Sequence, residues 1–291
     1  MIGGLKPTAR SRRDFSLTKV FGAPSLDIPR QYDVEDEKGD INQPRVQEDM
    51  FCLAYAISEL GADEHGIPMD AHFQAAFMGL LAGAPILNGA DMRVGIKSGR
   101  TFGFLPTSLC PFHNQDVTRE HIADWNNWPW HLVDEAGKYK MPAFFKVDGP
   151  YDAFDNHRAQ LYRHKPDNGI ALGIPWYESF NETGSNGIVK PGEGAYFWHA
   201  VTVKGYRYIN NKEYVRVRSW SGRMFGKNSY GYFTREQFNK LLATAGSISF
   251  MYKDIPDNLI LSLKERQLDL LEILLDLRSR VLIKLKHNVW I

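Results

Sequence analysis

Cysteine is almost missing from this chain. Two occur in 291 residues, Cys52 and Cys110. Two thiols can close at most one disulfide, so a disulfide framework is excluded, and the balance favours folding in a reducing compartment. Charge of one sign is missing too. Lys and Arg number 35 against 34 Asp and Glu, a formal net charge of +1. No bulk field therefore draws the chain to nucleic acid or to an acidic membrane. Long hydrophobic runs are missing. The longest uncharged stretch, residues 71–90, is broken by His72, Gln74, Pro85 and Asn88, and reads as a buried helix followed by a loop, not a membrane span. The opening MIGGLKPTARSRRDFSL has basic residues but no apolar run after them, so no secretory signal is expected and the location is read as cytoplasmic.

Several chemistries drop out by the same reasoning. GSNG and GEG lack the helix and lysine that make a phosphate loop. HFQAAF and DEHG do not set two histidines at metal spacing, and paired cysteines are absent. Neither a structural zinc nor any other cofactor is expected. There is no Gly-x-Ser-x-Gly elbow and no internal repeat.

What is present is ordinary globular usage, 43% apolar and 24% charged, with a high 13% of aromatics. Residues 1–30 are rich in Gly, Pro, Arg and Ser and read as an arm lying on a domain of residues 31–255. A first helix is expected from Cys52 to Leu60, with Gly61 as its stop, and a second over 71–82 capped by Asp70. Residues 83–145 read as loops and short helices. AFFKVDG, NGIALGIPWY and SISFMYKDI read as strands, and 195–220 as a hairpin. Helices first and strands second imply an α+β protein with two lobes around a cleft.

Residues 256–291 differ in kind. Leu268, Leu271, Leu275, Leu282 and Leu285 form one stripe, and Leu270, Leu274, Leu277 and Val281 a second beside it. A helix apolar over so much of its circumference must be covered. The expectation is a protein partner bound through 259–285, by self-association or as an anchor in a larger assembly.

Cys52 poses the chemical question. A lone cysteine in an apolar run is ordinarily core. Yet it opens a helix, where backbone amides and dipole favour the thiolate. Gln47, five residues upstream, could offer an amide to an oxyanion. A thiolate needs a base. Of nine histidines, His199 stands apart, because it sits inside an apolar strand pattern, AYFWHAVTVKGY. There it reads either as a satisfied core histidine or as the distant partner of Cys52.

At these residues the chain resembles the papain-like cysteine peptidases. A Gln precedes a helix-opening Cys, and HAVTVKGY, 199–206, matches the family's His-Ala-Val-x-x-x-Gly-Tyr strand. FGFLPTSLCPF resembles the family's Gly-x-Cys-Pro loop, and RRDFSL followed by IPRQYDV resembles its bacterial and phage branch. The resemblance spans about residues 12–255. It implies a helical lobe, a β-rich lobe and a cleft between, here with an added C-terminal helix. It also implies Cys52 as nucleophile, His199 as base and Gln47 with the Cys52 N–H as oxyanion donors.

Three departures stand out. Gln47 is one residue nearer the cysteine than in the family, and the glycines around the nucleophile are replaced by EDMF. The third catalytic position is not Asn. An ungapped match puts Ser219 there, with Gly222, Phe225 and Gly226 on the following family positions; a shifted match puts Arg218 there, and Asn228 comes about ten residues late. Ser219 would orient the imidazole more weakly than an amide, whereas an arginine would repel the imidazolium. Two readings follow. One is a thiol hydrolase of peptide bonds acting through an acyl-enzyme on a peptide or protein substrate. The other is a weakened or inactive papain-like domain serving as a structural component of an assembly such as a phage particle.

Overall fold

The computed structural model describes residues 5–8, 14–41, 51–112, 115–141, 143–164, 169–184, 186–220 and 225–253. Residues 1–253 form one compact unit, and everything below concerns it. Gln47, Gly222 and the Leu-rich stretch 256–291 lie outside the described residues.

The unit opens with β1 (Leu5–Lys6), α1 (Leu17–Phe21), β2 (Tyr32–Asp33) and α2 (Val34–Lys38). A helical part follows: α3 (Cys52–His65), α4 (Ala71–Ala82), β3 (Ala90–Asp91), α5 (Met92–Thr101), α6 (Arg119–Ala123) and α7 (His131–Ala136). The rest is strand-rich: β4 (Phe144–Lys146), α8 (Ala153–Arg163), β5 (Ile170–Tyr177), β6 (Tyr196–Ile209), β7 (Lys212–Arg218), β8 (Tyr230–Thr234), α9 (Arg235–Ala243) and β9 (Ile248–Tyr252). This is the two-part α+β arrangement expected from the order of the sequence patterns.

Helix α3 is longer than the sequence suggested. Gly61 does not end it, because a Cβ there would stand 2.5 Å from the Phe104 ring. That glycine serves close packing. The stop is Gly66, whose φ of 71° is the left-handed cap that closes many helices. Asp70 caps α4 as expected, its carboxylate accepting from Phe73 N–H at 2.7 Å. Around α4, Phe73, Phe77, Phe112 and Trp128 pack ring against ring. Helices α5, α8 and α9 and strand β8 were not distinguished in the sequence.

The main sheet runs β4-β9-β5-β6-β7-β8, with β2 added beside β6. Its pairings are antiparallel. β5 is central, and its continuous apolar run, IALGIPWY, is buried along nearly its whole length. Pro175 is tolerated there because β9 pairs β5 only over Ala171–Gly173. The β6–β7 hairpin turns on Asn210 and Asn211, with φ of 48° and 58°. Two positive φ values make the tight turn that matches strand twist, and Asn tolerates it. The described parts of the early chain pack into the unit. Leu5 and Leu17 are buried, and β1 pairs with β3.

Candidate active site

Helix α3 lies along β6, and two polar side chains of the strand fix its register. Thr202 Oγ1 donates to Ala56 O at 3.3 Å, and Lys204 Nζ donates to Glu59 Oε1 at 2.8 Å and to Asp63. Reading both elements backwards, one helical turn before Ala56 is Cys52, and two strand residues before Thr202 is Ala200. Cys52 and Ala200 accordingly share one apolar core cluster. The start of the helix is thus level with the His199 end of the strand.

Strand alternation decides what each side chain meets. Ala200, Thr202 and Lys204 face the helix, and His199 points to the other side. There His199 Nε2 is 3.0 Å from Ser219 Oγ. Trp176 packs edge-on to the imidazole at 4.8 Å, and Phe225 packs on Trp176 at 5.0 Å. Arg218, the other residue the sequence left open, does not approach the ring. It precedes Ser219 and turns the opposite way, to Glu59 Oε1 at 2.9 Å and Asp40 Oδ1 at 2.8 Å. Asn228 occupies a turn at φ 55° and makes no bond to the imidazole. Ser219 is itself held by its backbone, Ser219 N–H donating to Ser229 O at 3.0 Å.

Electrostatics separates the two sides. His199 is 2% exposed, and burial with no compensating carboxylate pushes its pKa down to about 3. The ring is therefore neutral near pH 7. Among the described residues its Nδ1 makes no hydrogen bond, to the Cys52 thiol or to any other group. Cys52 is 0% exposed and belongs to the apolar core cluster at the start of α3. A protonated imidazole is not the state this burial favours.

On the helix side, Lys204, Arg218, Glu59 and Asp63 are all buried. Burial pushes the Asp63 carboxyl up to about 6, and Lys204, wedged between two carboxylates, is held protonated above its usual range. Asp63, Lys204 and Arg218 are charged at pH 7. The guanidinium of Arg218 also lies 4.2 Å over the Trp220 ring, which leans on Tyr55 of the first turn of α3. Sequence reading missed Trp176, Trp220 and this cluster. The signal was there: Lys204 is a charge inside the apolar run HAVTVKGY, and Glu59 and Asp63 sit on a helix otherwise buried on every side.

No protein-family model matches the chain, and no curated protein matches it in sequence. Solved structures do. Xylellain, a cysteine protease from Xylella fastidiosa, superposes with a TM-score of 0.66 at 17% identity, over 87% of this chain and 96% of its own. The fold is papain-like. The ragweed pollen cysteine protease Amb a 11 in its proform gives 0.61 at 17% identity, over 86% of this chain and 73% of its own. Bromelain from Ananas comosus, solved with the E64 inhibitor, gives 0.57 at 17% identity, over 78% and 99%. These similar folds all belong to cysteine proteases, so the papain-like arrangement inferred from HAVTVKGY extends across the unit.

Proposed function

We propose that this chain is a thiol-dependent hydrolase of peptide bonds. The observation that carries this reading is the division of labour on His199: Nε2 is held by Ser219 while Nδ1 makes no hydrogen bond among the described residues. For Nδ1 to act as base, Nε2 must carry the ring hydrogen and donate it to Ser219 Oγ. Nδ1 then takes the Cys52 thiol proton as sulfur attacks the carbonyl carbon, and returns it to the leaving amine. Water, deprotonated by the same nitrogen, releases the acyl group and regenerates the thiol. Gln47 and the Cys52 N–H are proposed to hold the oxyanion. Substrate binding has to draw thiol and imidazole into hydrogen-bond contact, as happens in sites that tighten only in the complex.

The second reading, a domain kept for binding with little activity, is favoured by one observation: both Cys52 and His199 are shut away from solvent. A peptidyl epoxide separates the two. The hydrolase reading expects stoichiometric labelling at Cys52 and not Cys110 at neutral pH, abolished by His199→Ala. Folded protein that resists the probe at Cys52, while urea-unfolded protein reacts with a simple alkylating agent, would establish the second reading. We also propose that 259–285 carries the domain into an assembly. Deleting 257–291 is expected to lower the mass by light scattering to that of a folded monomer. A full-length monomer, or a truncation that unfolds, defeats this.

A further inference from the structure

A second set of reactive side chains lies in the helical part. Asp70, His72 and Cys110 offer a carboxylate oxygen, a ring nitrogen and a sulfur that all lie within 4.8 Å of one another. We propose that these three residues form a zinc site that ties the start of α4 to the turn at Cys110. The proposal does not depend on the hydrolase reading.

The donors converge because backbone bonds hold their segments together. Asp70 N–H donates to Leu105 O at 2.8 Å, and Thr107 N–H to Pro68 O at 2.9 Å. Met69 and Pro106 form an antiparallel bridge. Ser58 Oγ of α3 donates to Asp70 O at 3.2 Å. The 3-10 turn Thr107–Leu109 then delivers Cys110, whose N–H donates to Thr107 O at 3.1 Å. A site assembled on pinned backbone loses little freedom when a ligand arrives.

The chemistry selects the metal class. Bonds of about 2.0–2.3 Å to oxygen, nitrogen and sulfur place the ligands of tetrahedral zinc roughly 3.3–3.8 Å apart. Closing from at most 4.8 Å to that spacing needs a shift of about 1 Å. Magnesium and calcium take oxygen donors and are excluded by the thiol and imidazole. Asp70 gives an independent reason to expect a cation. The residue is 2% exposed, and among the described residues its carboxylate takes only the capping bond from Phe73 N–H to Oδ1 and no Lys or Arg pairs with it. On binding, the Cys110 thiol proton leaves to solvent. Thiolate and carboxylate then balance the divalent charge, and the fourth position is left to water.

The sequence hides this site. An i, i+2 pair and a cysteine 38 residues on match no zinc motif, and only the fold joins them.

The test uses the full-length protein, stripped with a chelator and titrated with Co2+ and with Zn2+. One equivalent of Co2+ should produce a thiolate-to-cobalt charge-transfer band that one equivalent of Zn2+ abolishes, and Zn2+ should raise Tm. The band should vanish in Cys110→Ser and His72→Phe, with folding checked by circular dichroism, and persist in Cys52→Ser. No band in the parent protein overturns the proposal, whatever the variants do. A band lost in Cys52→Ser and kept in Cys110→Ser assigns the metal to the other thiol and overturns it equally.

Discussion

Strands β6 and β7 have two sides that could hardly differ more. On one, His199 and Ser219 lie under Trp176 and Phe225, with no formal charge pairing the ring. On the other, Lys204 and Arg218 meet Glu59 and Asp63 of α3. Ser219 and Arg218 are consecutive residues, so a single peptide separates the two environments. Alternation makes the division possible, and the β6–β7 register enforces it, because Thr202 faces Arg218 across the ladder. The charges belong to the docking of the helix, and the imidazole is kept in an apolar, neutral place. Had Arg218 taken the third catalytic position, its charge would have opposed protonation of the ring.

The charged side should break first. Lys204→Met leaves Glu59 and Asp63 buried with one cation fewer. Removing one partner of a buried ion group costs about 3–5 kcal/mol, because the remaining charge has lost its compensation. Urea unfolding of the variant should show that loss. The double variant Lys204→Met/Asp63→Leu should recover much of it, since apolar replacement of a whole buried pair is often close to neutral. A loss below about 1 kcal/mol for the single variant would mean these charges behave as surface pairs, and the contrast between the sides would fail.

Much of the neutral side was legible in the sequence, and the charged side was not. HAVTVKGY singled out His199 because its apolar period and its histidine disagree, and RSWSG narrowed its partner to Ser219 or Arg218. Only the register of β7 against β6 could choose between them, and register is a long-range property. Lys204 lies within the same motif, but one lysine in a strand is usually a solvated residue. Its meaning depends on Glu59 and Asp63, some 145 residues earlier. Gly61 was misread for a related reason: a local stop signal and a packing glycine look alike until Phe104 is in place. Helix α8 buries polar side chains, Asp155, Asn156, His157 and Gln160, so its inward face does not read as an apolar stripe.

Histidine burial sharpens the comparison through pH. Burial pushes His157 and His164 down to about 4, and His199 to about 3, from an ordinary 6.5. Unfolded chain therefore takes up protons that folded chain refuses. The stability these groups contribute is complete above pH 6.5 and is lost as pH falls towards 4 and 3. Two carboxyls act in the opposite sense. Burial raises Glu35 to about 7 and Asp63 to about 6, so their contribution is present at low pH and lost as pH rises through those values. Between pH 6 and 4.5 three histidines oppose two carboxyls, and the net effect of acidification is loss of stability. His164→Phe keeps the edge contact with Phe21 and removes one of the three. The drop in unfolding free energy from pH 6.5 to 4 should shrink by roughly 2–3 kcal/mol. An unchanged drop would show that His164 titrates as if exposed.

The smallest effect is expected at Ser219, and it bears on chemistry more than on stability. A neutral hydrogen bond is worth about 1 kcal/mol, so Ser219→Ala should slow epoxide labelling of Cys52 by roughly five- to tenfold. Unfolding free energy should move by about the same 1 kcal/mol or less. Slower labelling alone could reflect a loosened core, so the pH profile is the deciding measurement. Ser219→Asn offers an amide oxygen in place of the hydroxyl, a stronger acceptor for the Nε2 hydrogen. It should make the imidazole more basic, speed labelling, and move the acid limb of the pH–rate profile to higher pH. Ser219→Ala should move that limb the other way. If both variants label at the parent rate with the parent profile, Ser219 is not orienting a working base, and the 3.0 Å contact with His199 is packing only.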